Sequence, residues 1–200
     1  GAPAPARIPR RFWGYLAAVL LFTLGNSTDA FLLLRAHALG VGEAWLPVLW
    51  GVLHVSKMAW SVPGGLWSDR AGRRAAILAG WAVYAATYVG FGFAHAPWHA
   101  WALFAAYGLF YGLTEGPERA LVVDLVPAAR RATALGAYHL AVGAGALPAS
   151  VLFGVVWERW GAQAAFLLGA GLAAAAAAVF LAALGPRERT ARPPARPAAP

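Results

Sequence analysis

Six apolar runs, each near twenty residues long, constrain this 200-residue chain more than any other feature. They are Phe12–Leu34, Leu46–Leu66, Ala75–Ala94, Trp98–Glu118, Ala132–Val156 and Gln163–Leu184, separated by short stretches rich in turn formers and charge. A hydrocarbon core of about 30 Å takes roughly 20 residues of helix at about 1.5 Å per residue. Backbone N–H and C=O groups find no water there, so each segment must pair its own, which selects helices. The expected fold is an all-α membrane protein: a bundle of six transmembrane helices over residues 12–184. A basic lead (1–11) precedes it, and a Pro/Arg-rich tail (185–200), expected to be disordered, follows. Composition agrees, with 60% hydrophobic and 12% charged residues, against about 25% charged in soluble domains.

The net charge of +8 admits a nucleic-acid reading, and charge placement decides against it. With the N-terminus cytoplasmic, the inside segments hold Arg7, Arg10, Arg11, then Arg70, Arg73, Arg74, then Arg119, Arg130, Arg131, then Arg187, Arg189, Arg192, Arg196. That is thirteen of the 16 basic residues. Arg35 and Arg159 fall outside, and Lys57 lies within a span. This positive-inside bias puts both termini in the cytoplasm and the chain in the inner (plasma) membrane as a multi-pass protein. Most Trp residues, Trp13, Trp45, Trp98 and Trp160 among them, fall near predicted span ends, as an interfacial belt requires. The chain opens on Gly1 and holds one Met, Met58, inside an apolar run, so the expectation is a piece of a longer protein.

An internal echo accompanies the spans. Gly64-x-x-Trp67, an acid–Arg pair, Gly72 and Ala75-Ala76 recur, with one residue deleted, as Gly154-x-x-Trp157, an acid–Arg pair, Gly161 and Ala164-Ala165. One corner is predicted cytoplasmic and the other external, which suits a 3+3 inverted repeat. Coincidence in an Ala/Gly-rich chain is the competing reading.

The most specific string is Gly65-Leu-Trp-Ser-Asp69-Arg70-Ala-Gly72-Arg73-Arg74. It resembles the G-x-x-x-D-R-x-G-R-R/K signature of the major facilitator superfamily, with every fixed position present. The residues make physical sense unaided: Gly65 allows close helix packing, Gly72 can take a positive φ, and Asp69 can cap the next helix or pair with an arginine. The resemblance implies a cytoplasmic latch in which Asp69 and Arg70 stabilise the outward-facing state. It also implies that six spans with both termini inside form one half of a twelve-span transporter. The polar tail and the missing start Met favour the C-terminal half of a bacterial member. The stretches Gly25–Arg35 and Tyr111–Arg119 are similar to the seventh and tenth helices of bacterial facilitators. Partners implied are a small-molecule solute, protons, the lipid bilayer and the other six-helix half. No nucleic acid, cofactor or metal is implied.

Ionisable groups at membrane depth are expensive and mark candidate sites. Lys57 sits near the middle of the second span with His54 one turn away, and Asp29 follows Asn26, Ser27 and Thr28 in the first. An Asp29–Lys57 ion pair lining a central cavity is expected if the two faces meet; a purely structural pair, or Lys57 buried against the other half, is the alternative. His139 in the fifth span titrates in a range suited to proton coupling, or serves as a packing residue. Arg35 is expected to snorkel to the outer interface. Glu115, Glu118 and Arg119 resemble the acid–Arg motifs of facilitator helix ends, so one of the two glutamates is expected to meet an arginine of the 70–74 group. Gly143, Gly145 and Pro148 resemble the bending helix of drug–proton antiporters, a pointer to efflux.

No nucleophile elbow, P-loop or metal constellation is present in the sequence, so the expectation is a secondary transporter rather than an enzyme. A six-helix membrane scaffold or assembly factor without transport activity is the alternative.

Overall fold

The computed structural model describes residues 7–185. The tail with Arg187, Arg189, Arg192 and Arg196 lies outside them, as do the first six residues. The described chain is helical throughout: α1 (Arg10–Gly25), α2 (Ala30–Ala38), α3 (Leu46–Ala71), α4 (Arg73–Gly92), α5 (Pro97–Leu125) and α6 (Arg131–Leu184), with short 3₁₀ turns before α3 and α6. Three helical stretches, Arg10–Ala38, Arg73–Gly92 and Ala128–Leu184, are long and apolar enough to cross a bilayer. α3 and α5 match them in length, with 26 and 29 residues. Their Trp, His, Tyr, Ser and charged side chains lower their mean hydropathy.

The first predicted span is broken in the structure, whereas α6 holds the fifth and sixth predicted spans joined across a corner. The first predicted span is interrupted at residues 26–29, where Asn26, Ser27, Thr28 and Asp29 follow Gly25. These side chains compete with the helix for its own backbone groups. The freed carbonyl of Gly25 accepts a hydrogen bond from the Tyr84 hydroxyl at 2.7 Å. That contact meets the demand that irregular backbone at membrane depth be satisfied by neighbouring helices. α6, in turn, runs for 54 residues, which would extend about 81 Å if straight. It does not run straight, because Gly161 holds φ 85° and ψ 168°. Phe153 and Phe166 straddle that break with ring centroids 5.2 Å apart, although thirteen helical residues span about 20 Å. Segments 131–160 and 162–184 therefore fold back on each other. Gly72, the single residue between α3 and α4, has nearly the same backbone, φ 92° and ψ 146°. Only glycine adopts this region without strain.

Small residues set the packing. α3 lies along α5, where a Cβ on Gly112 would sit 2.5 Å from the Trp60 carbonyl oxygen and one on Gly64 would sit 2.6 Å from the Gly112 carbonyl carbon. α1 lies along 162–184, where a Cβ on Gly25 or on Gly169 would sit 2.9 Å from the other's carbonyl oxygen. Segment 131–160 meets α1 at Gly145, against Thr23. Between these crossings an aromatic core is buried: Phe22 stacks on Trp81 at 4.7 Å, and Tyr84 on Tyr88 at 4.0 Å.

Contacts recur at a constant spacing. Phe91 meets Phe104 edge to face at 5.6 Å. Phe180, 89 positions after Phe91, meets Tyr15, 89 positions before Phe104, edge to face at 5.8 Å. Gly80 packs on Thr114, and Gly169 packs on Gly25; both members again differ by 89. The corner glycines 72 and 161 share that offset. Much of the surface stays apolar, with Leu147 on 131–160 exposed at 74% and Leu181 on 162–184 at 57%.

Candidate functional site

The break between α1 and α2 sets Asp29 at the start of α2, beside a group of tyrosines spaced i, i+4 on two other helices. Such spacing puts both members of a pair on one helix face. α5 contributes Tyr107 and Tyr111, and α4 contributes Tyr84 and Tyr88. The Tyr111 hydroxyl donates to Asp29 Oδ2 at 2.8 Å, and Ser27 Oγ and the Tyr88 hydroxyl lie 3.5 Å apart. Tyr107 has a fully buried hydroxyl without a hydrogen-bond partner among the described residues. Its ring stands 5.3 Å from that of Tyr111.

The other face of Tyr111 carries Lys57. The ammonium sits 3.7 Å from the ring centroid, a cation–π geometry, and 4.0 Å from Glu115 Oε2. Glu115 also accepts from Arg119 at 3.0 Å. The expected direct Asp29–Lys57 pair is therefore not formed. Tyr111 stands between them, taking the carboxylate on its hydroxyl and the ammonium on its ring, and Lys57 takes Glu115 as its acidic neighbour. The Lys57–Glu115 side opens on a cavity of 500 Å³, lined also by His54, Ser61, Gly65 and Arg119. His54 donates Nδ1–H to the Trp50 carbonyl one turn back at 2.9 Å. Asn26 ends α1, its N–H bonded to the Phe22 and Thr23 carbonyls. His139 is exposed on 131–160 beside Tyr138, at 5.1 Å between rings, and is not part of this cavity's lining.

A second constellation occupies the end of the bundle that holds the Gly65–Arg74 string. Arg73 forms an ion pair with Asp124 and donates to the Ala120 carbonyl at 3.3 Å. Arg74 donates to the Leu184 and Gly185 carbonyls at 3.1 and 3.4 Å, capping the end of α6. The arginine group thus meets Asp124, where Glu115 or Glu118 was expected. Asp124 lies six residues beyond Glu118, about 9 Å farther toward this end. Asp69 lies in the last turn of α3 and faces an 810 Å³ cavity with Arg11, Arg73, Arg74 and Asp124. The cap expected of it is not made, since α4 starts from Gly72 with no side-chain hydrogen bond. Arg70 points elsewhere, lining a separate cleft.

Glu118 belongs to neither constellation. It is buried and accepts from Trp81 Nε1 at 3.0 Å and from the Tyr138 hydroxyl at 2.7 Å. At the opposite end of the bundle Arg35 does not snorkel. It donates to the Phe91 and Ala94 carbonyls at 3.1 and 2.8 Å, closing the C-terminus of α4, where cations are favoured.

The residues that sequence reasoning passed over are Tyr84, Tyr88, Tyr107, Tyr111, Trp81 and Tyr138. The i, i+4 tyrosine pairs were a usable signal, but tyrosines in apolar helices read as interfacial or core residues. Nothing local marks Trp81 or Tyr138 as donors to a glutamate 37 and 20 residues away.

Comparison with known proteins adds the family context. The Major Facilitator Superfamily model matches residues 55–200. The chain is similar to an uncharacterized MFS-type transporter of Methanocaldococcus jannaschii, 32% identical over 157 residues, which are 76% of this chain and 39% of the relative. Uncharacterized proteins of Mycobacterium tuberculosis and Mycobacterium bovis are 28% identical over 158 residues, covering 78% of this chain and 38% of each relative. The chain spans about two fifths of the length of these curated relatives.

Proposed function

The chain belongs to the major facilitator superfamily, and from that premise we propose that it is one six-span half of a secondary transporter that moves a small solute by alternating access. The observation that carries this reading is the Asp29–Tyr111–Lys57–Glu115 array. It joins a helix break to an open cavity at the middle of the bundle, where broken helices and paired ionisable groups form transport sites. The fold-backs at Gly72 and Gly161 support six spans. The 89-residue correspondence of contacts supports a 3+3 inverted repeat, with α3 on α5 mirrored by 131–160 on α1. The end of the bundle shared by Arg11, Arg73, Arg74 and the close of α6 is assigned to the cytoplasm of the inner membrane, as the positive-inside rule requires. Protons are the proposed coupling ion, with Asp29 and His54 as the groups in the pathway and the other six-helix half completing the cavity.

In this mechanism a proton or charged group of the solute competes for Asp29 and frees Tyr111, which releases Lys57 and loosens its hold on Glu115. A proteoliposome solute screen on the full chain, with and without a pH gradient, tests the reading. Gradient-dependent flux supports it; absence of flux for every solute class in correctly folded protein overturns it in favour of a membrane scaffold.

The array also makes a sharper prediction. Asp29→Ala and Lys57→Ala are expected to be non-additive in flux, with a coupling of about 0.5–3 kcal/mol, because both act on Tyr111. Tyr111→Phe, which keeps the ring beneath Lys57 and removes the hydroxyl, is expected to reproduce the Asp29→Ala defect. Strict additivity in the double mutant dismisses the array as a unit.

For the Asp69, Arg73 and Arg74 end the proposed role is a latch that closes as the bundle rocks. Asp69→Asn is expected to lower flux while leaving insertion and folding intact. Equal flux at matched protein level removes the latch.

A further inference from the structure

The signature arginines divide between two faces, and Arg70 has no protein partner among the described residues. Arg73 and Arg74 are engaged by Asp124 and by the end of α6, whereas Arg70 makes no ion pair or hydrogen bond among the described residues. Its side chain lines a cleft of 550 Å³ on the flank of α3, whose other walls are Trp60, Pro63, Trp67, Leu109 and Leu113. At about 100° per residue, the α3 residues lining this cleft lie roughly opposite His54, Lys57 and Ser61, which line the transport cavity. Trp60 and Trp67 are each 42% exposed, so the cleft opens outward and is not covered by the bundle. An apolar slot that follows α3 for about 15 Å from Trp60 to Arg70, with a guanidinium unpaired among the described residues at one end, complements one kind of ligand. That ligand has an apolar tail and an anionic head.

We propose that this cleft is a binding site for an anionic phospholipid, with an acyl chain seated between α3 and α5 and the phosphate held by Arg70. The site rests on the chain being embedded in a membrane and not on its transporting anything. The charge complementarity is local: Arg70 is the one charged residue in the lining of the slot, and its planar fork suits two phosphate oxygens. The tail contacts are Trp60, Leu109 and Leu113, while Trp67, one turn from Arg70, stands nearer the headgroup level that tryptophan favours. Pro63 and Gly64 leave the slot open, since Pro63 has no long side chain and Gly64 is occupied by its packing on Gly112.

The test is lipid binding to the purified full chain in detergent, read by native mass spectrometry with phosphatidylglycerol or phosphatidylcholine of matched acyl chains. The wild type is expected to prefer phosphatidylglycerol by about fivefold, the contribution of one basic residue near an anionic surface. Arg70→Gln is expected to erase the preference, and Arg10→Gln, an exposed arginine on α1, to preserve it. Ala79→Leu, which grows into the cleft, is expected to lower occupancy by both lipids. The Arg70→Gln arm decides alone if that variant fails to fold. An unchanged preference in Arg70→Gln, or an equal loss in Arg10→Gln, overturns the site. Displacement of the lipid by glycerol phosphate at equal concentration also overturns it, since that outcome marks a simple anion site without a seat for the tail. Because binding is read without flux, failure here leaves the transport reading standing, and failure of transport leaves this site standing.

Discussion

Gly112→Val is expected to abolish stable packing of α3 on α5, at a cost of about 3 kcal/mol or more. A Cβ at position 112 meets the Trp60 carbonyl oxygen at 2.5 Å and the carbonyl carbon at 2.8 Å. Both atoms are backbone, so no side-chain rotation relieves the clash and the helices must separate. Four residues earlier, Gly108 faces Ser56 at a similar distance, and the Ser56 hydroxyl donates to the Ala105 carbonyl across the same seam at 2.5 Å. In a bilayer the helices gain little from hydrophobic exclusion, and their association depends on this close approach. Loss of the seam therefore propagates along the whole crossing. At about 2–4 °C per kcal/mol for a chain of this size, the melting temperature of the detergent-solubilised protein should fall by roughly 10 °C. Gly171→Ala is the control. A Cβ there meets nothing within 4 Å, and alanine favours the helix, so its melting temperature should hold or rise slightly. A Gly112→Val protein that melts with the wild type removes the proposed seam.

How much of this was legible in the sequence follows from which interactions are local. Helix length and apolarity are properties of a single segment, so the extents of α3, α4 and α5 were anticipated to within a few residues, apart from charged turns that extend α3 and α5 past their apolar cores. Gly72 and Gly161 were visible as an echo because a one-residue corner with positive φ demands glycine whatever surrounds it. The interruption at residues 26–29 was not anticipated, although Asn26, Ser27, Thr28 and Asp29 were singled out. Hydropathy averages over such a break, and its stability rests on the Tyr84 hydroxyl far away in sequence. The candidate site was half visible for the same reason. Asp29, His54, Lys57 and Glu115 stand out because charge in an apolar run is rare. Tyr111, which organises them, has an ordinary side chain for its helix and gains its role only from two partners on other helices. Charge partners were least legible. Asp124 makes the arginine contact expected of Glu115 or Glu118, because a helix turns about 100° per residue and sequence does not reveal which face each acid presents.

The second large effect is at Glu118, which stays out of the arginine group. Its two carboxylate oxygens are divided between Trp81 of α4 and Tyr138 of α6, and its backbone carbonyl accepts from Tyr15 of α1 at 3.2 Å. One residue thus ties α5 to three other helices. Glu118→Ala leaves an indole N–H and a phenolic O–H buried with no acceptor and is expected to cost about 2–4 kcal/mol. Glu118→Gln keeps one oxygen but turns an NH₂ toward the second donor, so a smaller loss of about 1–2 kcal/mol is expected. Tyr138→Phe removes a single bond and leaves the carboxylate with Trp81, about 1 kcal/mol in a membrane setting. The order Ala, Gln, then Tyr138→Phe, read as thermal stability of the solubilised full chain, is the signature of a divided carboxylate. Equal losses for all three would instead mark a simple packing defect. Glu115, three residues earlier, supplies the contrast. Its side chain is half exposed to the cavity, and its partners Lys57 and Arg119 are themselves solvent-accessible. Ion pairs of that kind contribute little to folding, so Glu115→Ala should leave the stability within about 0.5 kcal/mol of wild type. Any effect on flux would then come from the cavity itself. The two glutamates lie only about 60° and 4.5 Å apart on one helix, so their neighbours separate them: Glu118 is enclosed by Trp81 and Tyr138, whereas Glu115 faces the cavity.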